Sequence, residues 1–216
     1  MYLERDYYNL DPEKAMDYAK DGAEAGIPEG MLYYGYALSE GIGGRPDYAE
    51  ALKWFRKASN MGSIEAKYNL GYLYVNGLGT ERDEEKGFRL ARQAADKGSV
   101  EAMKLAGMCL ESGIGTPADR KRAAGYYRSA ADTGDSEAMF LLANIGLGTD
   151  PPEKSFELFL AAATGGFPPA MTVVGRMYAD GSGVDRDVEE ARKWLALARD
   201  SGDPDAEEYL LGLSRH

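Results

Sequence analysis

The stretch Ala66-Lys67-Tyr68-Asn69-Leu70-Gly71-Tyr72-Leu73-Tyr74-Val75-Asn76-Gly77-Leu78-Gly79 decides the fold, because its pattern returns along the chain. Ala66 belongs to the series Gly30, Ala66, Ala102, Ala138, Ala170 and Ala206, with steps of 36, 36, 36, 32 and 36 residues. Four residues on stand Tyr34, Leu70, Ala106, Leu142 and Val174. Each precedes a small residue: Gly35, Gly71, Gly107, Ala143 and Gly175. Eight residues on stand Leu38, Tyr74, Leu110 and Tyr178. Offsets of four and eight share one face of an α-helix, so each repeat opens with an amphipathic helix. The glycine pairs Gly41-Gly43, Gly77-Gly79, Gly113-Gly115 and Gly181-Gly183 follow it, with a shifted version at Gly146-Gly148. Glycine takes up left-handed backbone freely, so the pair is the helix stop.

A second helix completes each repeat. Asp47, Asp83, Asp119 and Asp187 stand where an N-cap belongs. Behind them come Ala51, Gly87, Ala123 and Ala191, then Trp54, Leu90, Tyr126 and Trp194, then Ala58, Ala94, Ala130 and Ala198. Gly62, Gly98, Gly134 and Gly202 close the element. Each repeat is therefore a helix–turn–helix hairpin, too small to bury its own apolar face. Stacked hairpins share a continuous core, so the expected fold is all-α, an α/α solenoid of 36-residue repeats.

The expected organisation is a single solenoid over 1–216. It has a truncated repeat at 1–29, repeats at 30–65, 66–101, 102–137, 138–169 and 170–205, and a capping helix in 206–216. At the start, Asp11 falls on the N-cap position, Ala15 and Tyr18 on the second-helix face, and Tyr2 on the slot of Tyr74 and Tyr178. Met1 to Leu10 is expected to cap the stack loosely or to mark a boundary inside a longer protein. Near the end, Asp203-Pro204 reads as N-cap and first residue of a helix over Ala206 to Leu213. The repeat at 138–169 lacks four residues between Leu142 and Ser155. The expectation is a first helix shortened by about one turn, with Asp150 capping the next helix. Such a deletion notches one surface or bends the superhelix, or else is neutral.

Composition narrows the function. Lys and Arg number 25 against 36 Asp and Glu, a net charge of −11. Nucleic-acid binding needs clustered cations to replace phosphate counterions, so it is not expected. Docking on an anionic membrane is disfavoured for the same reason, and no apolar run reaches membrane-spanning length. The single histidine, His216, excludes a multi-His zinc site within the chain and leaves only the last residue to serve a His-based triad. The single cysteine, Cys109, excludes an internal disulfide and reads as a packing residue. The expected compartment is the cytoplasm, or a secreted or periplasmic location if a leader has been removed.

The string AxxxLGxLYxxGxG, followed by the spaced Asp, Ala, Trp, Ala and Gly of the second helix, resembles the Sel-1-like repeat, a relative of the tetratricopeptide repeat. Lys67 to Gly79 and Ala191-Arg192-Lys193-Trp194-Leu195 carry the resemblance best, and it spans essentially the whole chain. The resemblance implies a right-handed superhelix whose concave face is lined by first helices. It also implies a non-enzymatic adaptor that binds a protein or peptide segment. A secreted branch of the family, described as penicillin-binding or β-lactamase-like, pairs cysteines within its repeats. This chain departs from that branch, having Cys109 alone. The hydrolase stays as an alternative, as does an oligomerisation spacer within a longer chain.

Other motifs reduce to the repeat. The glycine pairs lack the GxGxxG and GxxxxGK[ST] patterns of phosphate loops and recur at the repeat period. Asp185, Asp187, Glu189 and Glu190 fail the calcium-loop template, because Glu190 stands where glycine is needed. Glu29, Glu65, Glu101 and Glu137 each precede a first-helix face residue, where acids favour the helix dipole. No cofactor, metal or catalytic set is expected. By analogy with tetratricopeptide geometry, offsets two and six of each repeat face the groove. They hold Leu32 and Tyr36, Tyr68 and Tyr72, Lys104 and Met108, Phe140 and Asn144, Thr172 and Arg176. The expected partner site comprises Tyr36, Tyr68, Tyr72 and Met108 as anchors, with Lys104, Asn144 and Arg176 as polar contacts. The alternative is that these rings pack between hairpins.

Overall fold

Helix caps set the frame. Asp47 accepts from Glu50 N, Asp83 from Lys86 N, and Asp187 from Glu189 N and Glu190 N. First helices end at Gly41, Gly77, Gly113 and Gly181, all left-handed with φ between 66° and 72°. First helices also have caps that the sequence pattern left unread. Ser63, Ser99 and Asp135 accept from Ala66 N, Ala102 N and Ala138 N at 3.1, 3.3 and 2.7 Å.

The structure, a computed structural model, describes residues 12–213, and these form twelve α-helices. Asp11, Tyr2, Met1 to Leu10 and His216 lie outside the described residues. The chain divides between Asp119 and Arg120 into two compact units. The first holds α1 (Pro12–Glu24), α2 (Pro28–Glu40), α3 (Tyr48–Asn60), α4 (Ile64–Asn76), α5 (Glu84–Ala95) and α6 (Val100–Ser112). Each packs on the next, and the first helices α4 and α6 also touch. The second holds α7 (Arg120–Ala131), α8 (Ser136–Gly146), α9 (Pro152–Thr164), α10 (Pro168–Asp180), α11 (Val188–Asp200) and α12 (Ala206–Leu213). Successive helices again pack in order, and α10 touches α12. The architecture is the expected all-α repeat of stacked hairpins.

Core alanines sit where the period puts them. Ala51, Ala66, Ala94, Ala102, Ala123, Ala138, Ala170 and Ala191 are fully buried. The large core ring is displaced by one residue from the expected slot. Trp54, Tyr126 and Trp194 are half-buried, while their followers Phe55, Tyr127 and Leu195, with Phe159 at the same position in the short repeat, are essentially inaccessible. A second helix lies across two neighbours, so the residue after the consensus ring points to the hairpin interior. Gly35 gives Phe55 its place, since a Cβ there would stand 2.8 Å from the ring. The third hairpin uses a different solution. Gly71 and Gly87 face each other with backbone at contact, and Ala91 stands where the others hold a large side chain. At the chain start, Ala15 is buried but Tyr18 is exposed, not on a buried face.

The four-residue deletion is shared rather than taken from one helix turn. Helix α8 has 11 residues against 13 in α2, α4, α6 and α10, and its connector is shortened by the other two. Gly146 remains helical and Leu147 caps the end with φ −57°, so this repeat lacks the left-handed cap. Asp150 is not the cap of α9 either. Pro151 holds that position without a side-chain bond, and Asp150 instead accepts from Lys154 Nζ at 2.8 Å. Helix α12 begins at Ala206, after a turn in which Asp203 Oδ1 accepts from Asp205 N.

Candidate functional site

Offset six produces an ordered row on the first unit. Tyr36, Tyr72 and Met108 occupy this offset on α2, α4 and α6 and are 51, 43 and 39 % exposed. Their helices belong to one repeat series, so a single period places the three side chains on the same face. One turn earlier, Tyr68 is half-buried and its ring lies 6.5 Å from that of Tyr72 at a tilt of 43°. The pair forms an amphipathic pad: one ring is seated, the other presented. Exposed Glu29, Glu65 and Glu101 stand in the first turns of the same helices.

Lys104 is placed beside this row but not as a solvent-facing cation. Its side chain is 11 % exposed, and its ammonium lies 3.1 Å from Glu101 Oε1. In the second unit the corresponding offsets are largely internal. Phe140 packs on Phe159 and Phe167, with centroids 5.5 and 5.2 Å away. Thr172 is buried and donates to Asp203 Oδ2 at 2.5 Å. Asn144 turns its amide back onto the carbonyl of Phe140 at 3.0 Å. Arg176 is exposed, and its guanidinium lies 4.6 Å from the Tyr209 ring of α12. Tyr36, Tyr68, Tyr72, Lys104 and Met108 therefore share the first unit, while Asn144 and Arg176 belong to the second.

The remaining chemistry is structural. Cys109 is fully buried on α6, and burial together with the Glu84 carboxylate pushes its thiol up to about 11. It is protonated at neutral pH and unsuited to attack. Tyr74 is buried with its hydroxyl oxygen accepting from Arg56 Nη2 at 2.7 Å and Lys86 Nζ at 2.8 Å. Burial alone would raise this phenol; the two hydrogen bonds and their charges outweigh it and lower its pKa. Asp187 is spent on capping and Arg186 bonds the Ala179 carbonyl. Among the described residues no three His, Cys, Asp or Glu side chains cluster as a metal site. None of the described helices is long and apolar enough to cross a membrane.

The model of the Sel1 repeat matches residues 28–63, 64–99, 100–135, 136–167 and 168–203. A Sel1 repeat protein from Oxalobacter formigenes superposes with a TM-score of 0.82 at 26% identity, over 93% of this chain and 84% of that one. The protein c5321 is a protective antigen present in uropathogenic Escherichia coli strains and displays an SLR fold. It superposes at 0.79 with 28% identity, over 93% of this chain and 44% of its own. A sel1 repeat protein from Klebsiella pneumoniae shares the fold at 0.61 with 23% identity, over 91% of this chain and 97% of that one. A search of curated proteins finds no match.

Proposed function

The chain belongs to the Sel1 repeat family, and from that premise we propose that it is a non-enzymatic adaptor whose first unit docks a peptide segment of a partner protein. The observation that carries this reading is the row Tyr36, Tyr72 and Met108, three large side chains exposed at one offset on three successive first helices. Tyr and Met are enriched where partners bind, and a contiguous exposed row of them is unusual on a surface without a use. Tyr68 stiffens the central anchor. The helices that present the row are fixed by their packing, so most of the ordering cost falls on the ligand. Glu29, Glu65 and Glu101 favour a segment that carries basic residues beside its apolar ones. Lys104 serves by holding Glu101 in place.

The test compares wild type with Tyr36→Ala/Tyr72→Ala as bait, followed by crosslinking and mass spectrometry. A protein captured by wild type, crosslinked near α4 and lost in the variant supports the reading. Equal capture by both baits, with crosslinks elsewhere, refutes it. Both rings are exposed, so the variant should melt within a few degrees of wild type.

A further inference from the structure

The seam between neighbouring second helices that a phenol fills at Tyr74 lacks that ring two repeats on, at Gly146. In the first unit Tyr74 reaches between α3 and α5, where Arg56 and Lys86 both donate to its oxygen. Two repeats on, the positions of Arg56, Tyr74 and Lys86 become Arg128, Gly146 and Lys154. Both cations are kept and the ring is gone. Beside these two cations lies a cavity of about 410 Å³, lined by Arg128 of α7, Met139 and Leu142 of α8, and Lys154 and Leu158 of α9. That volume falls within the roughly 300–1,000 Å³ of small-molecule pockets.

Its polar groups are unevenly satisfied. Asp150 Oδ2 stands 2.8 Å from where a Cβ on Gly146 would lie, and it takes Lys154 as its partner. Arg128, exposed at the rim, has no side-chain hydrogen bond or ion pair among the described residues. Asp132 and Glu157, also lining the cavity, are likewise unpaired. A guanidinium only donates and a carboxylate only accepts, whereas a phenol oxygen does both. Three carboxylates against two cations disfavour a phosphate or a free carboxylate in the same place. The walls suit a ring, with the Met139 thioether available to its edge.

We propose that this cavity takes a tyrosine side chain of a partner protein, its ring against Met139 and Leu142 and its hydroxyl accepting from Arg128. The cavity stands in the second unit and does not depend on the Tyr36, Tyr72 and Met108 row.

The experiment titrates N-acetyl-tyrosinamide, N-acetyl-phenylalaninamide and N-acetyl-phosphotyrosinamide into the full chain, read by methyl NMR at Met139, Ala131 and Ala161. Expected is saturable binding of the tyrosine compound, on the order of millimolar for so small a ligand. It should bind at least about threefold more tightly than the phenylalanine compound, one hydrogen bond being worth that or more. Arg128→Met should bring the tyrosine compound to the phenylalanine level and leave the latter unchanged. Ala161→Trp, at an exposed lining position, should block both. Absence of saturable shifts, equal affinity of the first two compounds, tighter binding of the phosphorylated one, or indifference to Arg128→Met would each overturn the proposal.

Discussion

Replacing Gly35 by alanine should change sign with the residue at position 55. A Cβ on Gly35 would lie 2.8 Å from Phe55 Cε1 and 2.9 Å from Cδ1, and the ring is 1 % exposed with nowhere to retreat. Alanine in a helix interior gains about 1 kcal/mol over glycine. Overpacking a tight core costs roughly 1–3 kcal/mol. Gly35→Ala should therefore leave wild type unchanged or destabilise it by up to about 2 kcal/mol. Phe55→Ala alone should cost about 3–5 kcal/mol, through lost burial and the cavity left behind. In that background the clash is gone, so Gly35→Ala should recover about 1 kcal/mol. The coupling between the two sites is then roughly 1–3 kcal/mol, large for two residues but normal for a direct contact. Urea unfolding followed by circular dichroism gives the global numbers. Hydrogen exchange at α2 and α3 amides guards against local opening, to which stacked hairpins are prone. Should Gly35→Ala stabilise both backgrounds by the same amount, the close approach is not a constraint and the reasoning fails.

Three further outcomes follow from the same geometry. Asp187→Ala removes a cap that accepts two amides and should cost about 1 kcal/mol in thermal unfolding. Asp150→Ala, which caps nothing, should cost less than about 0.5 kcal/mol. Gly115→Ala would drive a Cβ into the Glu84 carbonyl, whereas Gly148 has open space around it. Both have positive φ and so share a strain of about 1–2 kcal/mol; denaturant midpoints should show Gly115→Ala losing clearly more. Cys109 keeps its proton in the fold up to about 11, while the unfolded thiol ionises near ~8.5. The folded state then holds more protons in that window, so this thiol's contribution, about 3 kcal/mol, is lost as pH rises through it. Wild type should lose stability relative to Cys109→Ala across that window, and the folded thiol should resist a disulfide reagent at pH 8.

The repeat, its hairpin and nearly all its punctuation were legible because they rest on period and glycine chemistry. Asp47, Asp83 and Asp187 cap as their spacing requires, and four glycine pairs end the first helices. What stayed hidden depends on which neighbour a side chain meets. The consensus ring at Trp54 draws attention, yet Phe55 fills the core, because a one-residue step rotates a side chain by 100°. The caps Ser63, Ser99 and Asp135 had a readable signal, a Ser or Asp three residues before each alanine of the series. At offsets two and six, the exposure of Tyr36, Tyr72 and Met108 matches a solvent-facing position. The burial of Thr172 and the packing of Phe140 do not, since α12 and Phe167 follow only one of the repeats.

The short repeat shows how one deletion acts at two places. In three of the four full-length repeats the second glycine of the pair rests on the backbone that opens the preceding second helix: Gly79 on Tyr48, Gly115 on Glu84, Gly183 on Pro152. Gly148 rests on nothing, and Arg120 Nη2 instead bridges to the Ile145 carbonyl at 3.0 Å. At the same connector the ring of Tyr74 has become Gly146. Neighbouring positions do not compensate by growing. Ser59 and Gln93 of the filled seam correspond to Ala131 and Ala161 in the open one, so the lining shrinks where the filler was lost. Each truncation forfeits burial that a larger side chain at 161 would restore without backbone movement. A seam short of atoms at 131, 146 and 161 leaves room for them to come from outside, and Arg128→Met against N-acetyl-tyrosinamide is the variant that decides whether they do.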